Sequence, residues 1–253
     1  MRRVLSLSPL LALMLVPGQV LAGMPLVNIH GGLLYWNSSL SGDIAADGDD
    51  VDMEDDLGFG RERHNILYLG VEHPVPFVPN ARLRHMELDD SARGTVEQDF
   101  TFAGQQFTAE ENVSSEYDFT ITDISLYYSL PVPAVDVNAG LTVRRLEVDA
   151  RIRSRDNPGN EENVDGDGVF PMLHGSLEGS LPLTGFYAGG EANVVSYDGN
   201  SFRDGRAYVG WTSDFALGVE LGYQALQFKI DDLDGIDADI SKTGPYLGLS
   251  LRF

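Results

Sequence analysis

The final residues of the chain alternate strictly between apolar side chains and polar or small ones. Successive side chains of a β-strand point to opposite faces, so this pattern predicts a strand with one apolar face. In a membrane-spanning barrel the apolar face contacts lipid and the polar face lines the interior. A similar alternation returns in residues 169–181 and 188–194. The apolar row is Leu247, Leu249, Leu251 and Phe253, and the opposite row is Tyr246, Gly248, Ser250 and Arg252.

A second constraint comes from the length of the apolar runs. After residue 22, no run approaches the roughly 20 apolar residues that a transmembrane helix requires. A sheet in lipid must close on itself, because every backbone polar group needs an internal partner. We therefore predict an all-β fold, a closed antiparallel transmembrane β-barrel. A soluble β-sandwich is the alternative, although sandwiches rarely combine alternation with a signal peptide and a terminal Phe.

Residues 1–22 predict a signal peptide, which leaves residues 23–253 as the barrel domain. Arg2 and Arg3 are basic, Val4–Val16 is largely apolar, and Ala22 suits cleavage before Gly23. The alternative is an N-terminal membrane anchor, for which the apolar run is short. Export permits disulfides, but the chain contains no Cys. We predict a location in the outer membrane of a Gram-negative bacterium.

The formal net charge of −22 excludes one class of partner. A surface this acidic repels the phosphate backbone, so nucleic acid is not an expected partner. The expected surroundings are outer-membrane lipid and lipopolysaccharide.

Strand-like stretches alternate with short and long connections. Short connections occur at 74–80, 130–134, 181–185 and 213–216; long ones occur at 42–60, 100–113, 154–166 and 231–238, with a smaller one at 198–202. Bacterial barrels have short periplasmic turns, longer extracellular loops and an even strand count. Ten strands with both termini in the periplasm satisfy this pattern, and eight or twelve are alternatives. The predicted strands are residues 24–41, 61–74, 80–98, 114–131, 134–153, 167–182, 184–197, 203–213, 216–231 and 239–253.

The alternation changes phase within three of these strands. In one of them Phe119 and Ile121 are followed by Ile124 and Leu126, and the strands at 134–153 and 216–231 change in the same way. A β-bulge, which inserts one extra residue, would exchange the two faces. Alternatively, the outer half of each strand projects above the membrane. The sequence leaves both explanations open.

Aromatic residues cluster near the predicted strand ends, where amphipathic rings suit the headgroup level of a membrane. By parity, Tyr187 and Tyr246 are expected to fill the barrel instead. The cluster comprises Tyr35, Trp36, Tyr68, Tyr127, Tyr128, Phe186, Tyr187, Trp211, Tyr223 and Phe253.

Two connections are rich in acidic residues. Carboxylates are suitable ligands for Ca²⁺ or Mg²⁺, so divalent cations are candidate partners there. Neither connection matches an EF-hand, and we favour a solvated loop whose like charges repel. The acidic residues are Asp43, Asp47, Asp49, Asp50, Asp52, Glu54, Asp55 and Asp56 in the first, and Asp231, Asp232, Asp234, Asp237 and Asp239 in the second.

Charged residues within the predicted strands are expected to face the lumen, because a charge facing lipid is costly. Opposite charges can pair to fill a narrow barrel, or they can line a selective pore. Ten strands lie nearer the filled limit than the roughly 16 of open channels, so we favour a structural plug. The residues predicted to line the lumen are Glu72, Arg82, Arg84, Arg144, Arg145, Glu147, Glu178, Glu191, Glu220, Lys229 and Arg252.

The sequence offers few candidates for catalysis. No Ser lies in a nucleophile elbow, and loop acids are abundant enough to fall near a His by coincidence. We predict that the protein is not an enzyme and has no cofactor-binding, metal-binding or catalytic residues. The histidines are His30, His64, His73, His85 and His174.

The segment Glu72–Arg82, EHPVPFVPNAR, resembles the one that marks a family of small, largely uncharacterised proteobacterial outer-membrane β-barrels. The resemblance covers nearly the whole predicted barrel domain, although His174 and Trp211 stand where the family would have Tyr. It implies a barrel and no established activity. Independently, three prolines cannot donate ladder hydrogen bonds, so Pro74–Pro79 is expected to leave the sheet. Further similar segments are Asp56–Phe59, Leu126–Tyr128, Leu181–Gly185, Gly218 with Leu221–Tyr223, and Gly244–Gly248.

The leading functional hypothesis is a small outer-membrane barrel that serves as a narrow or plugged conduit or as a structural surface protein. An enzyme with its site at the extracellular rim is one alternative, and a binding module that uses the acidic loops is another. Barrels of this class carry a C-terminal aromatic residue that the barrel-assembly machinery recognises. The predicted assembly signal is Tyr246, Leu249, Leu251 and Phe253.

Overall fold

The computed structural model describes residues 27–46, 49–97, 99–102, 105–233 and 236–253. The predicted signal peptide, Asp47 and Asp234 lie outside this part of the chain, as do the side chains of Asp49, Asp50 and Asp232. None of the described residues belongs to a helix that is long and apolar enough to cross a membrane.

The described residues form an all-β fold. The strands are β1 (Asn28–Ala46), β2 (Asp49–Asp52), β3 (Arg61–Glu72), β4 (Asn80–Thr95), β5 (Phe100–Phe102), β6 (Gln105–Phe107), β7 (Asn112–Leu130), β8 (Asp136–Ser154), β9 (Glu161–Ser180), β10 (Phe186–Tyr197), β11 (Asn200–Thr212), β12 (Leu217–Leu233) and β13 (Ile236–Arg252).

Ten of the described strands form a closed antiparallel barrel. Each pairs with its neighbour in the order β1-β3-β4-β7-β8-β9-β10-β11-β12-β13, and β13 pairs with β1 to close the ring. At the seam, the Ile29 amide donates to the Phe253 carbonyl over 3.0 Å, and the Phe253 amide donates to Ile29 over 2.8 Å. The predicted fold class and the count of ten are confirmed. β2 pairs with the last four residues of β1 to form a hairpin, while β5 and β6 form a separate two-stranded hairpin.

The strands continue further at one end than the sequence predicted. β1 reaches Ala46, and β8 and β9 leave only residues 155–160 between them, so the predicted long connections at 42–60 and 154–166 are partly strand. The opposite end carries the turns 73–79, 131–135, 181–185 and 213–216. We call it the periplasmic end, because bacterial barrels have their short turns there.

The three phase changes in the sequence are explained by projection above the membrane. The registers of β7 with β4 and β8, of β8 with β9 and of β12 with β11 are continuous through the positions concerned. The β12–β13 ladder shifts only beyond Ile230. What changes is the chemistry of each face: in β7, Ile121 and Tyr117 are buried inside the barrel, whereas Ile124 and Leu126 are exposed outside it.

The barrel therefore has two halves, in which the apolar side chains lie on opposite faces of the wall. In the periplasmic half the outward face is apolar and the inward face is polar, which is the pattern of a wall surrounded by lipid. In the outer half the inward face is apolar, which is the pattern of a wall surrounded by water. We call this half the extracellular extension. Its buried core consists of Leu40, Val51, Met53, Leu57, Phe59, Val96, Phe107, Val113, Tyr117, Ile152, Ala238 and Ile240.

Candidate functional site

The interior of the periplasmic half is filled by ion pairs. Arg84 of β4 donates to Asp123 of β7 over 2.7 Å and to both carboxylate oxygens of Asp204 of β11 over 2.9 Å. Arg144 of β8 donates to Asp123 over 2.7 and 2.8 Å and also to Asp204. Each of these side chains is no more than 7% exposed. We call these four residues the central cluster.

The central cluster crosses the full width of the barrel. β4 and β11 are five strands apart in either direction around the ring of ten, so the Arg84–Asp204 pair joins opposite walls. Arg144 reaches Asp204 from a third direction, and its guanidinium lies 4.6 Å from the centre of the Phe202 ring. These contacts place charged side chains across the barrel at this level.

A second cluster of charged residues lies beside the first. Glu191 of β10 pairs with Arg82 at 2.6 Å and with Arg206 at 3.2 Å, and it lies 3.5 Å from Arg84 of the central cluster. Arg206 also pairs with Glu220 of β12 at 2.9 Å. We call Arg82, Glu191, Arg206 and Glu220 the second cluster.

The charges of the two clusters balance. Four arginines face two aspartates and two glutamates, so the combined formal charge is zero. Taking a charge out of water is expensive unless partners and hydrogen bonds compensate it. Further hydrogen bonds come from Tyr246, which donates to Glu220, and from Asn193, which donates to Asp204 over 3.0 Å. The interior is thus a connected polar network.

Two smaller contacts lie on other parts of the inner wall. Arg252 pairs with Glu178 at 3.2 Å, and Tyr208 donates to the same carboxylate over 2.9 Å. Glu72 accepts a hydrogen bond from Tyr127 over 2.9 Å. Most of the residues predicted to line the lumen therefore lie inside the barrel.

Three of those residues lie outside it. The Arg145 side chain is 58% exposed and pairs with Glu147, which is 44% exposed, on the outer face of β8. Lys229 is exposed on the outer face of β12. All three would face inward only if a bulge preceded them, and both strands keep a continuous register there. The prediction for these positions is wrong for that reason.

Sequence reasoning also missed three members of the network: Asp123, Asp204 and Arg206. Parity alone could have found Asp123, because it shares a face with Ser125 and Tyr127, which are both buried. Asp204 and Arg206 lie in β11, where small outward residues such as Gly205 and Ala207 leave no clear apolar row to mark the lipid face.

Apolar side chains pack inside the barrel above the ion pairs. A buried group that includes Trp36, Ile66, Met86 and Ile121 lies on the inward face, and the core of the extracellular extension follows it. Between that core and the β5–β6 hairpin is a cavity of about 70 Å³ with almost entirely apolar walls. The predictions that Tyr187 and Tyr246 fill the barrel agree with their burial, at 6% and 2% exposed.

Two acids of the first acidic connection have structural roles. Asp56 is 6% exposed and accepts hydrogen bonds from the Asp52 amide over 2.9 Å and from the Glu97 amide over 2.8 Å. Asp52 accepts from the amides of Glu54 and Asp55, both over 2.7 Å. Within the described part of the chain, no three His, Asp or Glu side chains are grouped so that they could hold a metal ion.

An exposed carboxylate joins two extracellular loops. Asp156 accepts a hydrogen bond from the backbone amide of Asn112 over 2.8 Å and another from its side-chain amide over 3.1 Å. These donors stabilise the ionised form, so they lower the pKa of Asp156 below its usual value. Hydrogen bonds, chiefly from Ser154, likewise lower the pKa of Glu111.

The predicted assembly residues divide between the two faces of β13. Tyr246 is buried in the lumen, whereas Leu249, Leu251 and Phe253 are exposed on the outer face. Recognition of these residues during assembly stays a prediction.

Comparisons with known proteins find similarity in the fold alone. The outer-membrane protease OmpT from Escherichia coli is 13% identical, with a TM-score of 0.50 over 90% of this chain and 97% of that one. The transport unit of the E. coli autotransporter AIDA-I is 10% identical, with a TM-score of 0.43 over 96% and 94%. Ail from Yersinia pestis is 10% identical, with a TM-score of 0.36 over 89% and 99%. No family model and no curated protein matches the sequence.

The architecture assigns the compartment. Closed antiparallel barrels with an outward apolar band span the outer membranes of Gram-negative bacteria. This chain has such a band around a closed barrel, and OmpT shares its architecture. The protein is an outer-membrane β-barrel.

Proposed function

We propose that the protein is a sealed barrel that serves as a structural surface protein, holding its extracellular extension above the outer membrane, and that it conducts no solute. The observation that carries the proposal is the ion pair between Arg84 and Asp204, which joins opposite walls of the barrel. The resemblance of the Glu72–Arg82 segment to a family without established activity is compatible with this role but adds no support to it.

The ion pairs resist opening because they depend on one another. Arg84 contacts Asp123, Asp204 and Glu191, so it cannot swing aside without leaving three carboxylates short of a partner. Removing one partner of a buried pair costs about 3–5 kcal/mol, since the other charge is left uncompensated. Thermal fluctuations therefore open the centre only rarely.

The apolar layer above the clusters supports the same function. Trp36, Met86 and Ile121 are each at most 1% exposed and lie inside the barrel. A path for polar solutes would have to pass these side chains as well as the ion pairs, and apolar side chains offer no hydrogen bonds to replace those of water.

The positions of the histidines favour a protein without catalytic activity. His64 and His174 are buried inside the barrel, at 2% and 5% exposed. His30 and His73 lie at the periplasmic end, and His85 contacts Thr122 on the outer face of the wall. An acid–base site at the extracellular rim would therefore have to work without any of the five.

Planar-bilayer recording tests the proposal. The unmodified protein should show no steady conductance, and a large, stable conductance would contradict the sealed barrel. Replacing Arg84, Asp123, Arg144 and Asp204 together by Ala keeps the formal charge unchanged and removes the barrier at this level. Because the apolar layer above remains, this variant should show brief openings that the unmodified protein lacks, rather than a steady conductance.

A matched control lies on the same strand as Arg144. The double variant Arg145→Ala with Glu147→Ala also removes a neutral pair, but this pair lies outside the barrel. It should stay as silent as the unmodified protein. Heat-dependent mobility in electrophoresis would verify that each variant is folded before recording.

A further inference from the structure

The four periplasmic turns share a backbone feature. Each contains one residue other than Gly with a positive φ near 65°, a region where Gly or Asn is favoured. In the first three turns this residue directly follows a proline. The four residues are Phe77, Ala134, Leu183 and Ala216, with φ of 65°, 65°, 65° and 67°.

Large apolar side chains at the tips of these turns are almost fully exposed. Leu183 is 107% exposed, Phe77 is 94% exposed and Phe215 is 91% exposed, the highest values among the large hydrophobic residues of the described chain. Phe77 and Leu183 occupy positions where Gly, which has no Cβ, would relieve backbone strain. Local folding therefore does not account for these two side chains, and they make little contact with the rest of the barrel.

Two hydrogen bonds tie the turns to the lipid-facing wall. The Tyr128 hydroxyl donates to the Phe77 carbonyl over 3.1 Å, and the Trp211 indole donates to the Thr184 carbonyl over 3.1 Å. Tyr128 and Trp211 are exposed on the outer face of their strands, where interfacial aromatic rings are favoured. Gly185 also lies against Trp211, since an added Cβ would come within 3.1 Å of the indole nitrogen.

These contacts set the level of the turns. The polar edges of interfacial aromatic rings lie among lipid headgroups. The backbone carbonyls that accept hydrogen bonds from these rings must therefore lie at the same level. The turn tips then continue the apolar outer face of the barrel and do not project into the periplasm. An exposed apolar surface continuous with the lipid-facing wall is best covered by lipid.

We propose that Phe77, Leu183 and Phe215 insert into the inner leaflet of the outer membrane, at the boundary between phospholipid headgroups and acyl chains. There they anchor the barrel at a fixed depth. Asp214, beside Phe215, keeps its carboxylate in the headgroup water. A periplasmic protein docked on the same residues is the competing occupant, and it would leave them in water in pure lipid vesicles.

The absence of Cys from the whole sequence gives a direct test. The variants Phe77→Cys, Leu183→Cys and Phe215→Cys, each labelled with an environment-sensitive fluorophore, are reconstituted into phospholipid vesicles. We expect blue-shifted emission, quenching by lipids brominated near the headgroup and protection from iodide. The control Asn157→Cys lies in an extracellular turn and should show the reverse. Iodide quenching at all three positions equal to that of the control would overturn the proposal.

A second measurement needs no label. Trp36 is fully buried, so Trp211 is the tryptophan that contacts lipid. In the triple variant Phe77→Ser, Leu183→Ser and Phe215→Ser, loss of the anchors should change the depth at which brominated lipids quench Trp211. The single variant Asp214→Ser serves as the control in the same turn. A depth profile identical to that of the unmodified protein would contradict an anchoring role.

Discussion

The same strands run through both halves of the barrel, but their apolar side chains face outward in one half and inward in the other. In the periplasmic half, β7 turns Ile124 and Leu126 outward and encloses Asp123 and Ser125; in the extracellular extension, it encloses Tyr117 and exposes Asp118. The backbone register does not change between the halves. The difference teaches that the surroundings of the wall, lipid or water, decide which row of side chains is apolar. The backbone pairing of the strand is the same in both surroundings.

The stability of the two halves consequently rests on different interactions. The periplasmic half has a hydrogen-bonded ionic interior that must be complete, because any member left alone is a buried charge. The extension has an ordinary hydrophobic core, in which a lost methyl group costs only its own burial and the space it leaves. The predictions below test this contrast.

The largest effect is expected from breaking the ionic interior. Asp204→Leu removes the carboxylate shared by Arg84 and Arg144, and it should lower the free energy of unfolding by about 3–5 kcal/mol, since two arginines then share one aspartate. Urea unfolding in detergent micelles measures the change. Asp118→Leu, at an exposed position of the extension, should have little effect, and equal losses for both variants would contradict the comparison.

A smaller effect is expected from a charge on the outer face. Ile124→Arg, deeper in the membrane than the interfacial Tyr128, places a guanidinium among acyl chains and should destabilise the protein by about 2–4 kcal/mol in phospholipid vesicles. Asp118→Arg places the same guanidinium on the same face higher up the strand, where water surrounds the wall and Asp89 and Asp149 lie directly across on the neighbouring strands, so it should be neutral or slightly stabilising. Similar losses at the two positions would mean that the two halves share the same surroundings.

The smallest effect concerns the loops of the extension. The pKa of Asp156 is lowered by the Asn112 amides, so this contact is stabilising above the ordinary value of 3.8 and is lost as the pH falls through the lower, folded-state pKa. The amide-proton shift of Asn112 should therefore titrate with a midpoint below 3.8. Asp156→Asn should abolish this titration; its persistence in the variant would assign it to another group.

The fold could be predicted from the sequence because closure in lipid leaves few choices. Apolar–polar alternation such as that of Leu247 to Phe253, together with the regular succession of short and long connections, was enough to predict ten strands. The side of each charge was harder to assign. Arg145 and Lys229 follow phase changes that a bulge and an extension explain equally well from sequence alone, and only the continuous register decides between them.

The site was predicted in part for the same reason. Arg84, Arg144 and Glu191 lie in strands whose apolar rows define the lumen face, so parity placed them inside. Asp204 was missed because Gly205 and Ala207 weaken that pattern in β11. No sequence pattern could have indicated that Arg84 and Asp204 meet, because they lie 120 positions apart along the chain and contact each other only after the barrel closes.

The interlocked charges of the interior also limit how the sequence can drift over evolutionary time. A single change at Arg84, Asp123, Arg144 or Asp204 leaves a buried charge without its partner. Related proteins that have lost one of these residues should therefore also have lost a residue of opposite charge. Such changes would be recorded as correlated columns linking β4, β7, β8 and β11. Exposed acidic residues of the loops such as Glu54 and Asp55 can each change alone, whereas the buried Asp56 accepts hydrogen bonds from two backbone amides that its loss would leave without a partner. Interior and loop positions of the same barrel are thus expected to accept substitutions at different rates.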